Sequence, residues 1–195
     1  MGKREDILTA TRDIIFEDGL SSVSFSKIFS RAGVGSGTAY HYFESKEILI
    51  HTLYQECSDL MDREILAEYQ PTATLKERFQ VLLRSMARFV LTHRRELSVI
   101  VACGHSPTVD PASRLRVNPS MAAAVSLFAE GQQSGAFVPM DQMMAVLMIT
   151  GAMIAVAQGQ LDGKYKLDDG AVDQAVEACW RAMEKPGVSP RNLLP

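Results

Sequence analysis

Between the apolar stripe Phe25, Ile28, Phe29 and Ala32 and the ring-rich run Thr38 to Phe43, the chain leaves only Gly33-Val34-Gly35. A tight turn fits there and nothing longer. Apolar residues three and four apart mark one face of a helix, so Phe25 to Ala32 reads as a short helix capped by Ser24. Gly33 ends it in the left-handed conformation that glycine tolerates best. A third helix, about 36–43, begins almost at once, and Ser45 caps a long fourth helix reaching toward Glu68. Ahead of these, Ile7, Ala10, Thr11, Ile14 and Ile15 share one face of a first helix closed by Gly19.

The same period continues beyond Pro71. Thr74 and Glu77 have capping-box spacing and open a helix with Leu75, Phe79, Leu82, Leu83, Met86, Phe89 and Val90 inward. Further helices are expected over about 93–102, from an Asn118 cap with Pro119 in its first turn to Ser134, from Pro139 to near Leu161, and from a cap at Asp168 or Asp169 through Glu184. Residues 104–113, with Pro107 and Pro111, read as a loop. No convincing period-2 stretch and no internal repeat appear, so the expected fold is all-α.

Composition sets the function classes. A length of 195 residues suits one medium domain or a small head on a larger body, and 47% hydrophobic with 22% charged residues is a globular balance. A net charge of −3 gives no global attraction to nucleic acid or anionic membrane, so any such binding must come from a local patch. The basic pair Lys3-Arg4 is followed by no apolar run, so no secretory signal is expected. Three cysteines without a C-x-x-C pair suit buried thiols in a reducing, cytoplasmic setting. The apolar run Met143 to Ala157, broken by Thr150 and Gly151, is shorter than the roughly 20 residues of a bilayer span, and is expected to be a buried helix with no membrane partner.

Two short helices joined by a glycine-containing turn and braced by a longer one make a helix-turn-helix, whose second member enters the major groove of DNA. Thr38, Tyr40, His41 and Tyr42 bring hydroxyls and ring nitrogens for phosphate and base contacts, and the glycines permit close backbone approach. The start of the fourth helix, with free N–H groups, a positive dipole end and Lys46, suits a phosphate. Over 21–47, Lys27, Arg31 and Lys46 outnumber Glu44 and Glu47 by one. A modest dependence of binding on salt is therefore expected.

Gly33-Val34-Gly35-Ser36-Gly37-Thr38-Ala39-Tyr40-His41-Tyr42-Phe43-Glu44-Ser45-Lys46-Glu47, with Lys3-Arg4-Glu5-Asp6-Ile7-Leu8, Gly19 and Ser24-Phe25-Ser26-Lys27-Ile28 upstream, resembles the signature of TetR-type transcriptional regulators. The resemblance implies a homodimer of all-helical subunits. Each would carry an N-terminal three-helix DNA-binding head, 1–46, and a larger ligand-binding and dimerising body, 47–186, leaving 187–195 as a tail. It implies no enzymatic activity and a four-helix interface built from the last two helices of each subunit; no cofactor or metal is expected. By position, Gly37 and Thr38 would meet bases or phosphates, with Ser36 beside them; Tyr40, Tyr42 and Lys46 would grip the backbone; Ser26 and Lys27 would touch DNA from the second helix; His41 would be peripheral. Gly35 stands where a Ser or Thr cap is usual, and Ser36 where a longer polar side chain is common. Phe29 is large where alanine is usual and Ala39 small where leucine is usual, as if the two helices had exchanged volume.

The resulting expectation is a cytoplasmic repressor that binds a pseudo-palindromic site on double-stranded DNA, its recognition helices about 34 to 36 Å apart, and is released by a small apolar or amphipathic effector. The rival is a helical small-molecule-binding protein with weak or lost DNA binding. An α-helical enzyme is disfavoured, because no nucleophile and base, paired carboxylates or cofactor loop converge. Cys103 and His105, with Asp110 nearby, could belong to a metal site, but one short C-x-H spacing is weak beside zinc patterns, and a buried thiol with a loop histidine is the preferred reading. Arg114 with Arg116 reads as a helix-end charge pair. Met140, Met143, Met144, Met148 and Met153 suit core filling or, as a group, an adaptable pocket. Gly151, Ala155 and Gly159 make a small-residue stripe.

Overall fold

The computed structural model describes residues 2–104, 106, 109 and 118–186, apart from the side chain of Ala39. Among them lie nine α-helices: α1 (Lys3–Asp18), α2 (Phe25–Ala32), α3 (Ser36–Tyr42), α4 (Lys46–Leu66), α5 (Leu75–Thr92), α6 (Arg94–Gly104), α7 (Pro119–Gln133), α8 (Gln142–Leu161) and α9 (Asp169–Met183). A 3-10 turn follows α1 at Leu20–Ser22. The described residues contain no strand beyond an isolated antiparallel bridge between Phe137 and Glu184. The all-α expectation holds. Of the loop expected at 104–113, residues 105, 107–108 and 110–113, His105 and Asp110 among them, lie outside the described residues, as do Arg114, Arg116, the tail at 187–195 and the Ala39 half of the expected volume exchange.

Two compact units result, Met1–Met61 with His93–Arg116, and Asp62–Thr92 with Val117–Pro195. In the first, Ile7, Ile14, Ile28, Leu49, Val99 and Cys103 are fully buried and form one core. Ion pairs from Arg12 to Glu96 at 3.1 Å and from Arg95 to Asp13 at 2.9 Å tie α6 to α1. These contacts explain why 93–116 groups with the N-terminal helices, a cut different from the functional boundary expected at 46.

The second unit is built around rings. Phe79 of α5 meets Phe128, Phe137 and Trp180 edge-on, with centroids 5.3 to 6.1 Å apart, the spacing aromatic pairs favour. Gly131 has no alternative there, since a Cβ would lie 2.2 Å from the Phe137 ring. Around these rings α5 packs against α8 and α9, and α7 against α8.

Several local expectations hold and others need correction. Thr74 and Glu77 form the reciprocal capping box, with Glu77 N donating to Thr74 Oγ1 at 3.3 Å and Thr74 N to Glu77 Oε2 at 2.9 Å. Asp168 caps α9 through Ala171 N at 3.0 Å. Pro139 does not open α8; the helix starts at Gln142, because Asp141 caps it through Met144 N at 2.9 Å. Asn118 sits at the N-cap position of α7 but its side chain makes no capping bond. Asp62 of α4 caps that helix instead, accepting from both the amide and the hydroxyl of Ser120.

The apolar run in α8 is not the buried helix expected. Its flanking glutamines extend it to 20 residues, long and apolar enough to cross a membrane by length and composition, and only 33% of its most apolar window is buried. Ala145, Val146, Ile149, Met153 and Ala157 face inward. Met143, Met144, Leu147 and Met148 are exposed, so these methionines do not fill the core of the chain. The small-residue stripe is also divided. Gly151 and Ala155 are exposed, whereas Gly159 is covered by the Tyr165 ring, 2.7 Å from where a Cβ would stand.

Candidate nucleic-acid interface

α2 and α3 form a helix-turn-helix whose joint is set by Gly33, in the left-handed region at φ 61°. The Gly33 and Val34 amides close α2 by donating to Ser30 and Phe29 carbonyls at 3.4 and 3.1 Å, and Val34 then enters the core. Ser24 caps the other end through Lys27 N at 3.4 Å. Two residues beyond the turn α3 begins, held by Phe43, which is buried just after its last turn.

Every residue expected to meet DNA on α3 is exposed: Ser36, Gly37, Thr38, Tyr40, His41 and Tyr42. Tyr40 and Tyr42 keep 50% and 43% of their surface, so neither ring is core. They differ in support. Tyr40 packs edge-on against Phe25 and Phe29, at 5.0 and 5.7 Å, while those two rings stack on each other at 5.0 Å. Its ring braces α3 on α2. Tyr42 meets only the His41 ring among the described rings, at 5.5 Å.

Ser26 and Lys27 are exposed on α2, and Lys46 is the first residue of α4, half-buried. Ser45 caps that helix through Ile48 N at 3.2 Å. Glu47 lies below the usual carboxylate pKa range because its own backbone amide, then the Ser45 side chain, hydrogen-bond its charged form.

Charge around α2 departs from the sequence reading. Lys27 Nζ donates to Asp18 Oδ2 at 2.7 Å, and Arg31 Nη2 to both oxygens of Glu17 at 2.6 Å. The Lys27 hydrogen bond holds the Asp18 carboxyl below its usual pKa, and the Glu17 bond raises that of Arg31. Lys46 has no acidic partner within ion-pair distance among the described residues. Arg4, not singled out from the sequence, pairs with Glu56 at 2.6 Å and lies 5.8 Å from the centre of the Phe43 ring. The adjacent acids before Gly19 were visible, but a helix-end Glu-Asp pair has no partner until the turn folds α2 back beside it.

No group of three or more metal-ligating side chains occurs among the described residues. Cys103 is buried and its thiol pushed up to about 11 by desolvation. Burial pushes Cys57 to about 12. Both are poor ligands in that state, since the thiolate is the binding form.

Comparison with known proteins agrees with this geometry. Residues 7–53 match the model of the bacterial regulatory proteins of the tetR family, and residues 74–184 that of the tetracyclin repressor-like C-terminal domain. A fatty acid metabolism regulator protein of Bacillus subtilis is 31% identical over 81 residues, covering 42% of each chain; the matched stretch is thus under half of that relative's length. An HTH-type transcriptional regulator of Haemophilus influenzae is 20% identical over 182 residues, 93% of this chain and 95% of the other. A solved TetR-family protein from Vibrio parahaemolyticus superposes with a TM-score of 0.79 at 28% identity, covering 94% of this chain and 99% of its own. With a matched head, a matched body and an exposed recognition helix after the Gly33 turn, the chain belongs to the TetR family, whose members are DNA-binding transcriptional regulators and not enzymes.

Proposed function

We propose that this regulator is a cytoplasmic repressor that binds a pseudo-palindromic operator as a homodimer and leaves it when a small apolar or amphipathic molecule binds. The observation that carries the reading is the exposed polar row of α3, offered by a helix that is itself anchored on α2 and Phe43. In this reading residues 1–46 bind DNA and 47–186 hold effector and partner subunit. Gly37 and Thr38 meet base edges or nearby phosphates, Ser36 and His41 flank them, and Tyr40, Tyr42, Lys46 and Ser26 contact the backbone. Lys27 reaches a phosphate only by exchanging Asp18 for it.

Homodimerisation is supported by the outward face of α8. Met144, Leu147, Met148, Gly151 and Ala155 recur at helical spacing and are exposed, an arrangement suited to a second helix. Gln142, Gln158 and Gln160, the Asp141 cap and the packing of the opposite face on α5 and α7 favour a second copy over lipid as its cover.

An effector is supported by α4. His51 Nδ1 and Ser58 Oγ, two turns apart on one face, are buried without a hydrogen-bond partner among the described residues. Such orphans are costly unless something satisfies them, and a polar group on an otherwise apolar ligand would do so. Mass spectrometry of molecules that co-purify with the protein tests this, together with their ability to release it from DNA.

One observation favours the rival reading, a ligand-binding protein with weak DNA affinity: both cations of α2 are already paired. Anisotropy of a labelled duplex from the gene's own upstream region separates the two. A salt-dependent complex competed poorly by unrelated DNA supports the repressor; the absence of any complex supports the rival.

A further inference from the structure

Lys27 and Arg31 are the only cations of α2 and lie four residues apart, so they leave the helix on one side. Each ends on an acid from the last turn of α1: Lys27 on Asp18 at 2.7 Å, Arg31 on both oxygens of Glu17 at 2.6 Å. All four side chains are substantially exposed, from 35% to 43%, and exposed pairs of this kind add little to folding. Carboxylate and phosphate oxygens are acceptors of the same class for ammonium and guanidinium groups. The acids therefore hold the very donors a DNA backbone would use.

Resting on the DNA-binding reading above, we propose that Glu17 and Asp18 are built-in counter-charges that compete with DNA phosphate for Arg31 and Lys27. They hold down the head's affinity for duplex of any sequence. Charge-driven binding is the sequence-independent part of affinity. Restraining it leaves the α3 contacts untouched, so that base contacts carry a larger share of the binding and fewer unrelated sites are occupied at a given salt. The chain then needs few free cations, in keeping with its net charge of −3.

The test uses the full chain and a labelled duplex of arbitrary sequence, with anisotropy recorded across a series of salt concentrations. Wild type is compared with Asp18→Asn, Lys27→Ala and the double variant. Asp18→Asn is expected to bind more tightly, and its plot of log K against log salt to steepen by about 0.9 for the one phosphate that Lys27 then takes. In the Lys27→Ala background, Asp18→Asn should bring no gain over Lys27→Ala alone. Glu17→Gln gives an independent second measurement through Arg31, and thermal melting of each variant confirms folding. Equal affinity and slope in wild type and both acid variants overturn the proposal. So does a gain that persists without Lys27, since it would then come from lost repulsion and not from a released cation. Binding by no chain at any salt overturns the DNA-binding reading itself, and the proposal with it.

Discussion

At Gly33 the backbone turns at φ 61°, a conformation that costs a residue with a Cβ about 1 to 2 kcal/mol. Nothing lies within 4 Å of a Cβ placed there, so Gly33→Ala tests backbone strain without steric overlap. Its melting temperature should fall by about 2 to 4 °C per kcal/mol, read by circular dichroism. Tyr40 divides its work between ring and hydroxyl. Tyr40→Phe keeps the packing on Phe25 and Phe29, so stability should be unchanged while duplex affinity falls; unchanged affinity would remove the hydroxyl from the interface. The buried thiols give a pH signature. Cys57, pushed up to about 12 from an ordinary 9.0, stays protonated in the folded chain while the unfolded chain ionises. Its contribution is fully present below about pH 9 and is lost as pH rises toward 12. Denaturant midpoints should accordingly fall between those limits, and native Cys57 should resist alkylation at pH 8 until the chain unfolds.

Among the elements, α7 carries the sharpest contrast. Its N-terminus is capped by Asp62, 58 residues earlier, and not by Asn118 beside it. Asp62→Ala leaves the buried Ser120 amide and hydroxyl unsatisfied and should cost about 1 to 3 kcal/mol in chemical denaturation, whereas Asn118→Ala should stay within about 0.5 kcal/mol. Equal losses would contradict the assignment. This contrast also marks what a sequence can reveal. The capping box at Thr74, the Ser24 and Ser45 caps and the Gly33 exit were legible because each depends on residues within one turn of the helix end. The Asp62 cap, the counter-ions of Lys27 and Arg31, and the Tyr165 ring over Gly159 were not, because each partner arrives through tertiary folding. The recognition helix was legible for a related reason: Tyr40 and Tyr42, two apart, cannot share a buried face.

For the whole molecule, the outward face of α8 is the surface on which the proposed dimer rests. Apolar content alone marked α8 as core, and pattern could not tell a face buried in the chain from one left exposed. Leu147, 57% exposed on that face, should tolerate Leu147→Glu within the monomer yet split the dimer and weaken binding of long duplexes sharply, since two heads no longer act together. The central claim is that α3 meets DNA twice from a symmetric pair. Sedimentation of the full chain with a duplex from its own upstream region tests it most directly. The account predicts a dimer when free and two chains per duplex when bound, with Thr38→Ala and Leu147→Glu each weakening the complex. A monomer, or a duplex that sediments unchanged at low salt, would contradict it.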